Sequence, residues 1–530
     1  MDEVTIPDTS LNIQNLTAED YLKPGPYAYI YDITDPFEQS IELRKLLDHA
    51  KDIGFAGASQ IWQDYKKSIR GNISNLGIDV AIFDVDQPID LLSTWVCSED
   101  GAYKYSQGGK DWACTHPLLI TRRFYNLDTG TEKVELAFKL GKRWRYITEA
   151  KSTIASAQKI IGLADYGISV TSENAKDMVA FLQELESLNY DKIETITTTS
   201  RLGWVNKEDF MPYTEDVEFD GDVSFNRLFR SVHSKGDKEL WLNTVGGMAR
   251  THLAVRLAIA ASVASPMLKL VNTQPFFVHF WSDMSATGKT LIVMAAASIW
   301  GDPSLGEFTQ SFNATTVALE RTAEVLNNAP LIMDELQLSK DFRGNTSFDV
   351  YKLAQGQGKG RGRKTGGVEN VPQWCNTIST TGEGTILNEN DGQGAFARVL
   401  ECEITEVLFD AVEGNRIANI IRSNYGFGGE VIVNAYKDIG VEELNRRFSA
   451  LVKDLNKDGI IQDKQVLLAS ALLVASKIAS EYLFHDEMTE LSLEELKPLL
   501  STRRQTSIQV RAYDFLLDWV ASNKNKFDSS

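Results

Sequence analysis

The sequence predicts a mixed α/β protein: a P-loop sheet with helices on both faces, preceded by a mainly β (α+β) domain and followed by a helical lid. Two apolar runs predict the sheet, because residues 276–281 lead into Gly288-Lys289-Thr290 and residues 330–333 lead into Asp334-Glu335. Upstream of these runs, apolar residues alternate as in strands. Beyond residue 406 they recur at the spacing of helices.

The bulk composition limits the classes of protein to consider. With 530 residues the chain exceeds one ordinary core, and 43% hydrophobic with 24% charged residues is typical of a soluble globular protein. The net charge of −19 argues against a general nucleic-acid coat, so any contact with DNA must come from a local basic feature. The four cysteines are far apart and predict neither zinc nor disulfides, which fits a reducing cytoplasm.

Two stretches bear on targeting and membranes. The start of the chain, MDEVTIPDTS, is acidic and polar, unlike a signal peptide. The most apolar stretch, residues 253–268, is interrupted by Arg256 and is shorter than the ~20 residues of a membrane span. We therefore expect a core helix there, no membrane contact and a cytoplasmic location.

Five regions are predicted along the chain. They are a small α+β region (1–92), a mainly β accessory domain (93–240), a nucleotide-binding domain (241–405), a helical lid (406–503) and the start of a C-terminal helical or winged-helix segment (504–530).

The accessory domain is predicted from strands at 118–125 and 134–140 and from an amphipathic helix at 178–185. A turn leads from the second strand into Arg143-Trp144-Arg145-Tyr146, where basic residues alternate with aromatic ones. This alternation fits either a strand with one solvated face or a platform that stacks and holds single-stranded nucleic acid.

The turn after residues 276–281 organises the nucleotide-binding domain. An apolar strand, a polar loop, Gly-Lys-Thr and an apolar helix at 291–300 follow one another as in a phosphate-binding loop. In such a loop the backbone N–H groups and the helix N-terminus face the anion, the lysine reaches the terminal phosphates and the threonine hydroxyl holds Mg²⁺. The residues predicted to bind the nucleotide here are Ser285, Ala286, Thr287, Gly288, Lys289 and Thr290.

One position departs from the usual spacing of this loop. The first glycine of the pattern would fall at position 283, where the chain has Asp283. A carboxylate turned toward a triphosphate is repelled, so we expect Asp283 to point away, with the loop re-spaced through Ser282. The alternative is a chance Gly-Lys-Thr at a helix start, against which a second motif downstream argues.

That second motif is the hexapeptide at 330–335, which predicts a buried strand with two carboxylates at the carboxyl edge of the sheet. Open α/β sheets bind their ligands at this edge. We expect Asp334 to hold Mg²⁺ with Thr290, directly or through water, and Glu335 to polarise the attacking water. With the phosphate-binding loop before it, the pair predicts hydrolysis of ATP in the presence of Mg²⁺.

Two later segments supply further candidates. Residues 373–379 predict a strand that runs into Thr380-Thr381, where a hydroxyl would touch the γ-phosphate or the attacking water. Thr380 is the first candidate and Thr381 the second, and capping of a loop is the alternative. Arg398 comes just before a predicted last strand at 399–404. An arginine there either projects into the site of a neighbouring subunit or forms a surface salt bridge.

The one concentrated basic feature of this acidic chain is the glycine-rich segment 354–367, AQGQGKGRGRKTGG. Its cations are Lys359, Arg361, Arg363 and Lys364. Glycines permit close approach to a phosphate, and the cations can displace counterions from a nucleic-acid strand. We expect these four residues to bind DNA, and a solvated loop is the alternative.

Taken together, the motifs resemble a known family. They are Gly288-Lys289-Thr290, Met333-Asp334-Glu335, the segment from Gly356 to Arg361, Thr381-Gly382-Glu383 and Arg398, with Ser200-Arg201-Leu202-Gly203-Trp204 upstream and Asn424-Tyr425-Gly426 downstream. Over residues 95–430 the chain is similar to the "domain of unknown function 927" ATPases of bacterial mobile elements and phages, which include MCM-like helicases (Cch type) of staphylococcal cassette chromosomes. The resemblance implies an AAA+ fold, hexameric rings and ATP-driven DNA unwinding, with the basic glycine loop in the central pore.

The resulting hypothesis is an ATPase that unwinds or moves along single-stranded or forked DNA, as a homo-oligomeric ring that replicates a mobile element or phage. A rival is a replication scaffold or helicase derivative that binds ATP and hydrolyses it weakly, with Asp283 as its mark. A third is an ATP-dependent small-molecule enzyme such as a kinase, which would leave the basic loop unexplained. Hydrolysis stimulated by single-stranded DNA separates the three.

Overall fold

The computed structural model describes residues 13–31, 33, 36–62, 65, 81–106, 109–339, 350–360, 362, 370–387, 391–503, 513, 516–517 and 519–523. The chain forms two compact units, residues 1–124 with 131–195 and residues 125–130 with 196–530. The five regions predicted above divide the chain more finely and remain predictions.

The first unit combines helices with antiparallel strands. Its helices are α1 (Gly25–Tyr31), α2 (Pro36–Asp52), α3 (Lys151–Ile154) and α4 (Ala175–Leu188). Its strands are β1 (Val96–Ser98), β2 (Gly101–Ser106), β3 (Gly109–Cys114), β4 (Leu118–Asn126), β5 (Thr131–Leu140) and β6 (Arg143–Ala150). Strands β1-β2-β3 form one sheet, and β4-β5-β6 lie side by side in another. The predicted strands at 118–125 and 134–140 and the helix at 178–185 are confirmed.

The β5–β6 hairpin shows how the sequence specifies this unit. Val134, Leu136 and Phe138 alternate along β5 and are at most 1% exposed, so one face of the strand is apolar core. Gly141 then turns the chain with a φ of 62°. A two-residue turn of this kind matches the twist of antiparallel strands.

The second unit contains the remaining elements. Its strands are β7 (Glu194–Thr199), β8 (Gly203–Trp204), β9 (Phe210–Met211), β10 (Glu218–Phe219), β11 (Phe276–Trp281), β12 (Thr309–Ser311), β13 (Leu331–Asp334), β14 (Thr377–Gly382) and β15 (Val399–Glu403). Its helices are α5 (Asn226–Ser231), α6 (Lys238–Thr251), α7 (Leu253–Leu270), α8 (Lys289–Ala297), α9 (Thr316–Leu326), α10 (Val350–Leu353), α11 (Gln393–Phe396), α12 (Ala411–Ser423), α13 (Gly429–Ile439), α14 (Val441–Leu455), α15 (Asp463–Ile478) and α16 (Leu493–Leu496).

The core of this unit is a five-stranded parallel sheet with the order β12-β13-β14-β11-β15. Four consecutive residues of β11, Phe277 to Phe280, have no exposed surface, as expected of a central parallel strand covered on both faces. From β11 the chain moves to the β12 edge, returns through β13 and β14, and adds β15 on the other side of β11. The order therefore reverses at β11, and such a switch point is where open sheets bind ligands.

Within the described part of the chain, two helices are apolar and long enough to cross a membrane by length and composition alone, Leu253–Leu270 and Asp463–Phe484. In each, 78% of the apolar window is buried inside the protein. Helix α7 packs against α8, α15 and β14, and its Ser262 hydroxyl donates to the Ala296 carbonyl at 2.9 Å. The predicted core helix at 253–268 is confirmed.

One predicted strand differs in its bounds. The sequence predicts a strand over 373–379, whereas β14 begins at Thr377 and continues to Gly382. The preceding residues are engaged elsewhere, because Trp374 donates its backbone N–H to the Gly356 carbonyl at 3.0 Å and its indole N–H to the Leu353 carbonyl at 2.9 Å. As a result, Thr380 and Thr381 lie inside the strand and point to opposite faces of the sheet.

Candidate functional site

The Gly-Lys-Thr turn lies at the carboxyl end of β11, where Gly288 precedes the first turn of α8. Gly288 has a φ of 98°, and a Cβ there would lie 2.9 Å from Cδ2 of Phe409. Ala286 is also left-handed, with a φ of 55°. The turn is further held by the backbone N–H of Leu408, which donates to the Thr287 carbonyl at 3.1 Å. Glycine is therefore required at 288 by both backbone conformation and space.

The side chains of this turn divide into buried and exposed ones. The Lys289 ammonium donates to the carbonyls of Ser282 at 3.2 Å and Met284 at 3.0 Å, so it folds back over the loop. Thr287 is 1% exposed, and its hydroxyl has no hydrogen-bond partner among the residues that the structure describes. The exposed residues of the turn are Asp283, Met284, Ser285, Ala286 and Thr290.

The acidic strand β13 ends at the same edge of the sheet. Asp334 is buried, and its carboxylate accepts a hydrogen bond from the Thr381 hydroxyl of β14. The Thr381 oxygen in turn accepts from the Glu335 backbone N–H at 3.0 Å. Glu335 is exposed and has a φ of 65°, a strained conformation for a residue with a Cβ. Thr381 therefore holds the Asp334 carboxylate and the Glu335 backbone.

Thr380 has a different environment. Its hydroxyl lies 2.7 Å from Nδ1 of His279, and Nε2 of the same imidazole lies 2.9 Å from the Gly384 carbonyl. A carbonyl can only accept, so Nε2 carries the hydrogen and Nδ1 accepts from Thr380. Burial lowers the pKa of His279 to about 4, so the ring is neutral at pH 7. The hydroxyl of Thr381, and not that of Thr380, therefore bonds to the acidic residues at the end of β13.

An open cavity of about 390 Å³ lies beside the turn, between α8 and α12. It is lined by the turn from Ala286 to Thr290 and, on the opposite side, by Phe409, Asn415 and Arg422 among others. The buried hydroxyl of Thr287 and the glycine at 288 line it, where backbone N–H groups of the helix N-terminus are available to an anion. These residues suit a phosphorylated ligand.

Cation ligands were expected from Thr290 and Asp334. Among the residues that the structure describes, no three or more His, Cys, Asp or Glu side chains gather as a metal site. A carboxylate and a hydroxyl completed by phosphate oxygens and water is the ligand set that Mg²⁺ prefers, and the two residues suit that set.

Arg398 lies at the other end of the sheet, directly before β15. It is 8% exposed, donates to the Gly394 carbonyl at 2.8 Å and stands 5.0 Å from the ring centre of Tyr351. Its backbone carbonyl accepts from Phe277 at the start of β11. The structure does not bring it together with Lys289 and Asp334 of its own chain.

Of the predicted DNA-binding residues, Lys359 is described and is exposed, whereas Arg361, Arg363 and Lys364 lie outside the described residues. The base of this loop is fixed at Gly356, where the φ is 71° and a Cβ would lie 2.7 Å from the Trp374 carbonyl oxygen. The backbone N–H of Gly358 donates to the Pro372 carbonyl at 2.8 Å. These contacts explain the glycine at position 356 by local structure, without any contact to DNA.

The segment from Arg143 to Tyr146 on β6 is the alternative candidate for nucleic-acid binding, and part of it is used in packing. The Trp144 indole N–H donates to Asp84 at 3.0 Å, and its ring meets Phe83 edge to face at 5.6 Å. Arg143, Arg145 and Tyr146 are exposed. The tryptophan is thus less available for stacking than the pattern of the segment suggests.

Sequence reasoning missed His279 and Phe409. A histidine inside the apolar run FFVHFW was the available signal for the first, because a polar residue in a fully buried strand needs hydrogen-bond partners. No local pattern distinguishes Phe409, which contacts a glycine far away in the sequence.

Fold and site together define a mixed α/β protein whose parallel sheet places a glycine-lysine turn and an acidic pair at one edge. The chain belongs to the family described as domain of unknown function (DUF927), whose model matches residues 96–373. The resemblance drawn from the motifs is thereby confirmed.

A likeness of fold comes from a solved structure described as "SCCmec type IV Cch - active helicase", which is 19% identical, with 82% of this chain and 83% of that chain covered and a TM-score of 0.60. Another, the A-form apo structure of the NrS-1 C-terminal region, is 12% identical over 72% of this chain and 90% of that chain, with a TM-score of 0.25. The comparison with curated proteins finds no match.

Proposed function

We propose that this protein is an ATP-dependent DNA helicase or translocase of a mobile genetic element or phage, which acts in DNA replication as a homo-oligomeric, hexameric ring of AAA+ type. One observation carries the proposal: Thr381 on β14 ties the acidic end of β13 to the sheet edge that bears the Gly-Lys-Thr turn. The family membership and the likeness to the Cch helicase fold support it.

In this proposal, Lys289 leaves the carbonyls of Ser282 and Met284 to bind the terminal phosphates, and the backbone from Ser285 to Gly288 surrounds them. Thr290 and Asp334 hold Mg²⁺, which when bound neutralises charge on the phosphate oxygens. Glu335 orients and polarises the attacking water and takes up its proton. Because β14 lies between β11 and β13, Thr381 stands between the turn and the acidic pair and keeps Asp334 in place.

The helices that follow β15, α12 to α16, are proposed to be the lid of the nucleotide domain. The contact of Phe409 with Gly288 supports this role, because it links the start of the lid to the phosphate-binding turn. The cavity between α8 and α12 is the proposed place of the nucleoside.

DNA binding is proposed for Lys359, Arg361, Arg363 and Lys364. The base of their loop borders an open cavity of about 1150 Å³ whose lining includes Arg201, Arg321 and Gln357. Arg201 pairs with Asp128, and Arg321 pairs with Glu324 at 2.7 Å, so these cations are already balanced. In a chain of net charge −19, the attraction for a phosphate backbone then depends on the loop.

The first test is ATP hydrolysis by the whole protein with and without single-stranded DNA, in parallel with unwinding of a forked duplex. Stimulated hydrolysis with strand separation is the expected result. Hydrolysis without a response to any DNA would rule out the helicase proposal and favour a small-molecule enzyme.

The second test is replacement of the four loop cations by alanine. For single strands the slope of log affinity against log salt is about −0.7 per phosphate contact, so the slope should flatten by up to roughly 3 units per engaged subunit. Basal ATP hydrolysis should persist while stimulation is lost. Replacement of Arg143 and Arg145 is the matched comparison, and an effect of that pair alone would move the DNA site to β6.

A scaffold that binds ATP and hydrolyses it weakly is the second candidate, and Asp283 is the observation that favours it. This exposed carboxylate occupies a turn that must accept a triphosphate. Tight ATP binding that assembles the protein on DNA without measurable turnover would support the scaffold.

A further inference from the structure

A row of three polar side chains crosses the middle of the parallel sheet. In the strand register, His279 of β11 is paired with Thr380 of β14 on one side and with Glu401 of β15 on the other. Paired residues of parallel strands point to the same face, so the three side chains form a line across that face. The opposite face carries Thr381 and, by the same alternation, Thr377, which donates its hydroxyl to the Ala261 carbonyl of α7 at 2.7 Å.

Two members of this row hold the segment that follows β14. The His279 imidazole donates to the Gly384 carbonyl, and the Glu401 carboxylate accepts from the Ile386 backbone N–H at 2.8 Å. A Cβ on Gly382 would lie 2.9 Å from Cε1 of His279, so glycine at this position makes room for the ring. The imidazole and the Glu401 carboxylate together therefore fix the course of residues 382–386.

The position of this segment gives the arrangement a consequence for the site. Thr381, one residue before Gly382, carries the hydroxyl that binds Asp334 and the Glu335 backbone. A change in the course of the chain at Gly382 would move that hydroxyl relative to the Asp334 carboxylate and the Glu335 backbone. The imidazole itself is fully buried and lies on the other face, so it does not reach the nucleotide.

Burial of an imidazole in an otherwise apolar strand also costs free energy. Polar groups transferred from water into a core destabilise the fold unless every hydrogen bond is replaced. Both ring nitrogens of His279 are satisfied, one by Thr380 and one by Gly384. Both hydrogen-bond partners of the imidazole therefore belong to the 380–384 segment. An apolar residue at position 279 could not form these bonds.

We propose that His279 is a positioning residue for nucleotide hydrolysis, which holds the 382–386 segment so that Thr381 keeps the acidic pair in place. This inference rests on the proposed function. It assigns His279 no contact with substrate, and it gives Thr380 the task of orienting the imidazole.

The experiment compares kcat and ATP affinity for three variants of the whole protein. His279→Leu removes both ring contacts and should lower kcat on the order of 10²-fold while the Kd for ATP changes little, because the phosphate-binding turn is untouched. His279→Gln keeps a donor for Gly384 and should restore most of the rate. Thr380→Val removes only the Nδ1 partner and should have the smallest effect.

Val278→Ala is the control, because Val278 is a fully buried neighbour on β11 that faces away from the row. It should lose stability and keep kcat. A normal kcat in folded His279→Leu would overturn the proposal, and so would equal rate losses in His279→Leu and Val278→Ala. If His279→Leu does not fold, the other two variants decide. His279→Gln is then expected to keep a normal kcat and Thr380→Val to lose a small part of it. A full loss of kcat in His279→Gln contradicts the role.

A spectroscopic reading is independent of activity. The ¹⁵N signals of His279 should show the neutral Nε2–H tautomer and should not titrate between about pH 8 and pH 5. A ring that titrates near its ordinary pKa would contradict the proposal. Absence of ATP hydrolysis in the unmodified protein would instead count against the proposed function and leave these signals as they are.

Discussion

The two edges of the parallel sheet hold their candidate residues in different ways. At the carboxyl edge, contributions from β11, β13 and β14 come together: the turn with Lys289, the buried Asp334 and the Thr381 hydroxyl that binds it. Two residues with a Cβ, Ala286 and Glu335, are left-handed there. Such strain is retained where the surroundings fix it and is typical of functional sites.

At the amino edge, a single arginine is held apart. Arg398 is nearly buried between the Gly394 carbonyl and the Tyr351 ring. Next to it, Lys464 has a lowered pKa, because burial and then the Arg398 charge disfavour its ammonium. Strands of this length span roughly 20 Å, so Arg398 lies far from the Gly-Lys-Thr turn of its own chain. One edge therefore gathers its candidate residues from three strands of a single chain, while the other holds a nearly buried arginine apart from them.

The largest expected effect tests whether the amino edge serves a neighbour. If Arg398 stabilises the transition state in an adjacent subunit, Arg398→Ala should lower kcat by on the order of 10³–10⁵. Mixed with Lys289→Ala subunits, it should regain part of the activity, because some interfaces then combine an intact Lys289 with an intact Arg398. Mixtures that co-assemble and stay as inactive as either variant alone would restrict Arg398 to an intrachain role.

Next in size is the loss of Glu335, the carboxylate at the carboxyl edge that is proposed to polarise the attacking water. Glu335→Gln should bind ATP and lose turnover by on the order of 10²–10⁴, because Asp334 and the phosphate-binding turn are unchanged. Glu383→Gln is the matched control, since Glu383 is an exposed carboxylate directly after β14. A full rate in Glu335→Gln with a loss in Glu383→Gln would transfer the role to the neighbouring strand.

A smaller effect separates the two threonines of β14. Thr381→Val removes the donor to Asp334 and the acceptor of the Glu335 N–H, and a hydrogen bond to a charged group contributes ~1.5–3 kcal/mol. We expect kcat to fall by about ten- to a hundredfold, and Thr380→Val to lower it less. Single-turnover rates at saturating ATP are the measurement. The reverse order of the two variants would show that the face bearing His279 is the one that meets the nucleotide.

The threonines also show how far sequence reasoning reaches. The apolar runs place β11 and β13 within a residue of their ends, because a buried parallel strand has a strong and short signature. The start of β14 was predicted four residues early, since Trp374 and Cys375 resemble strand residues but bond outside the sheet. Side chains alternate between the two faces of a strand, so an error in the start of the strand matters. It leaves open which of two adjacent hydroxyls faces the site.

Other parts of the site depend on contacts between distant segments. The sequence indicates glycine at 288, but not that Phe409 lies against it or that Arg398 is nearly buried. It likewise gives no sign that Gly382 accommodates an imidazole. These features arise from tertiary packing, which local patterns do not encode.

The smallest effect concerns the residue that departs from the usual spacing at the carboxyl edge. Within the described turn 282–288, positive φ occurs at Ala286 and Gly288, so position 283 does not require glycine for its backbone. Asp283→Gly should therefore act through charge alone, with a rise in ATP affinity of about fivefold at most that shrinks in high salt. Asp283→Asn should give the same rise, whereas Ala286→Gly should relieve backbone strain without changing the charge. If calorimetry shows that both Asp283 variants bind ATP more weakly, Asp283 contributes to ATP binding. The carboxyl edge would then use a third carboxylate besides Asp334 and Glu335.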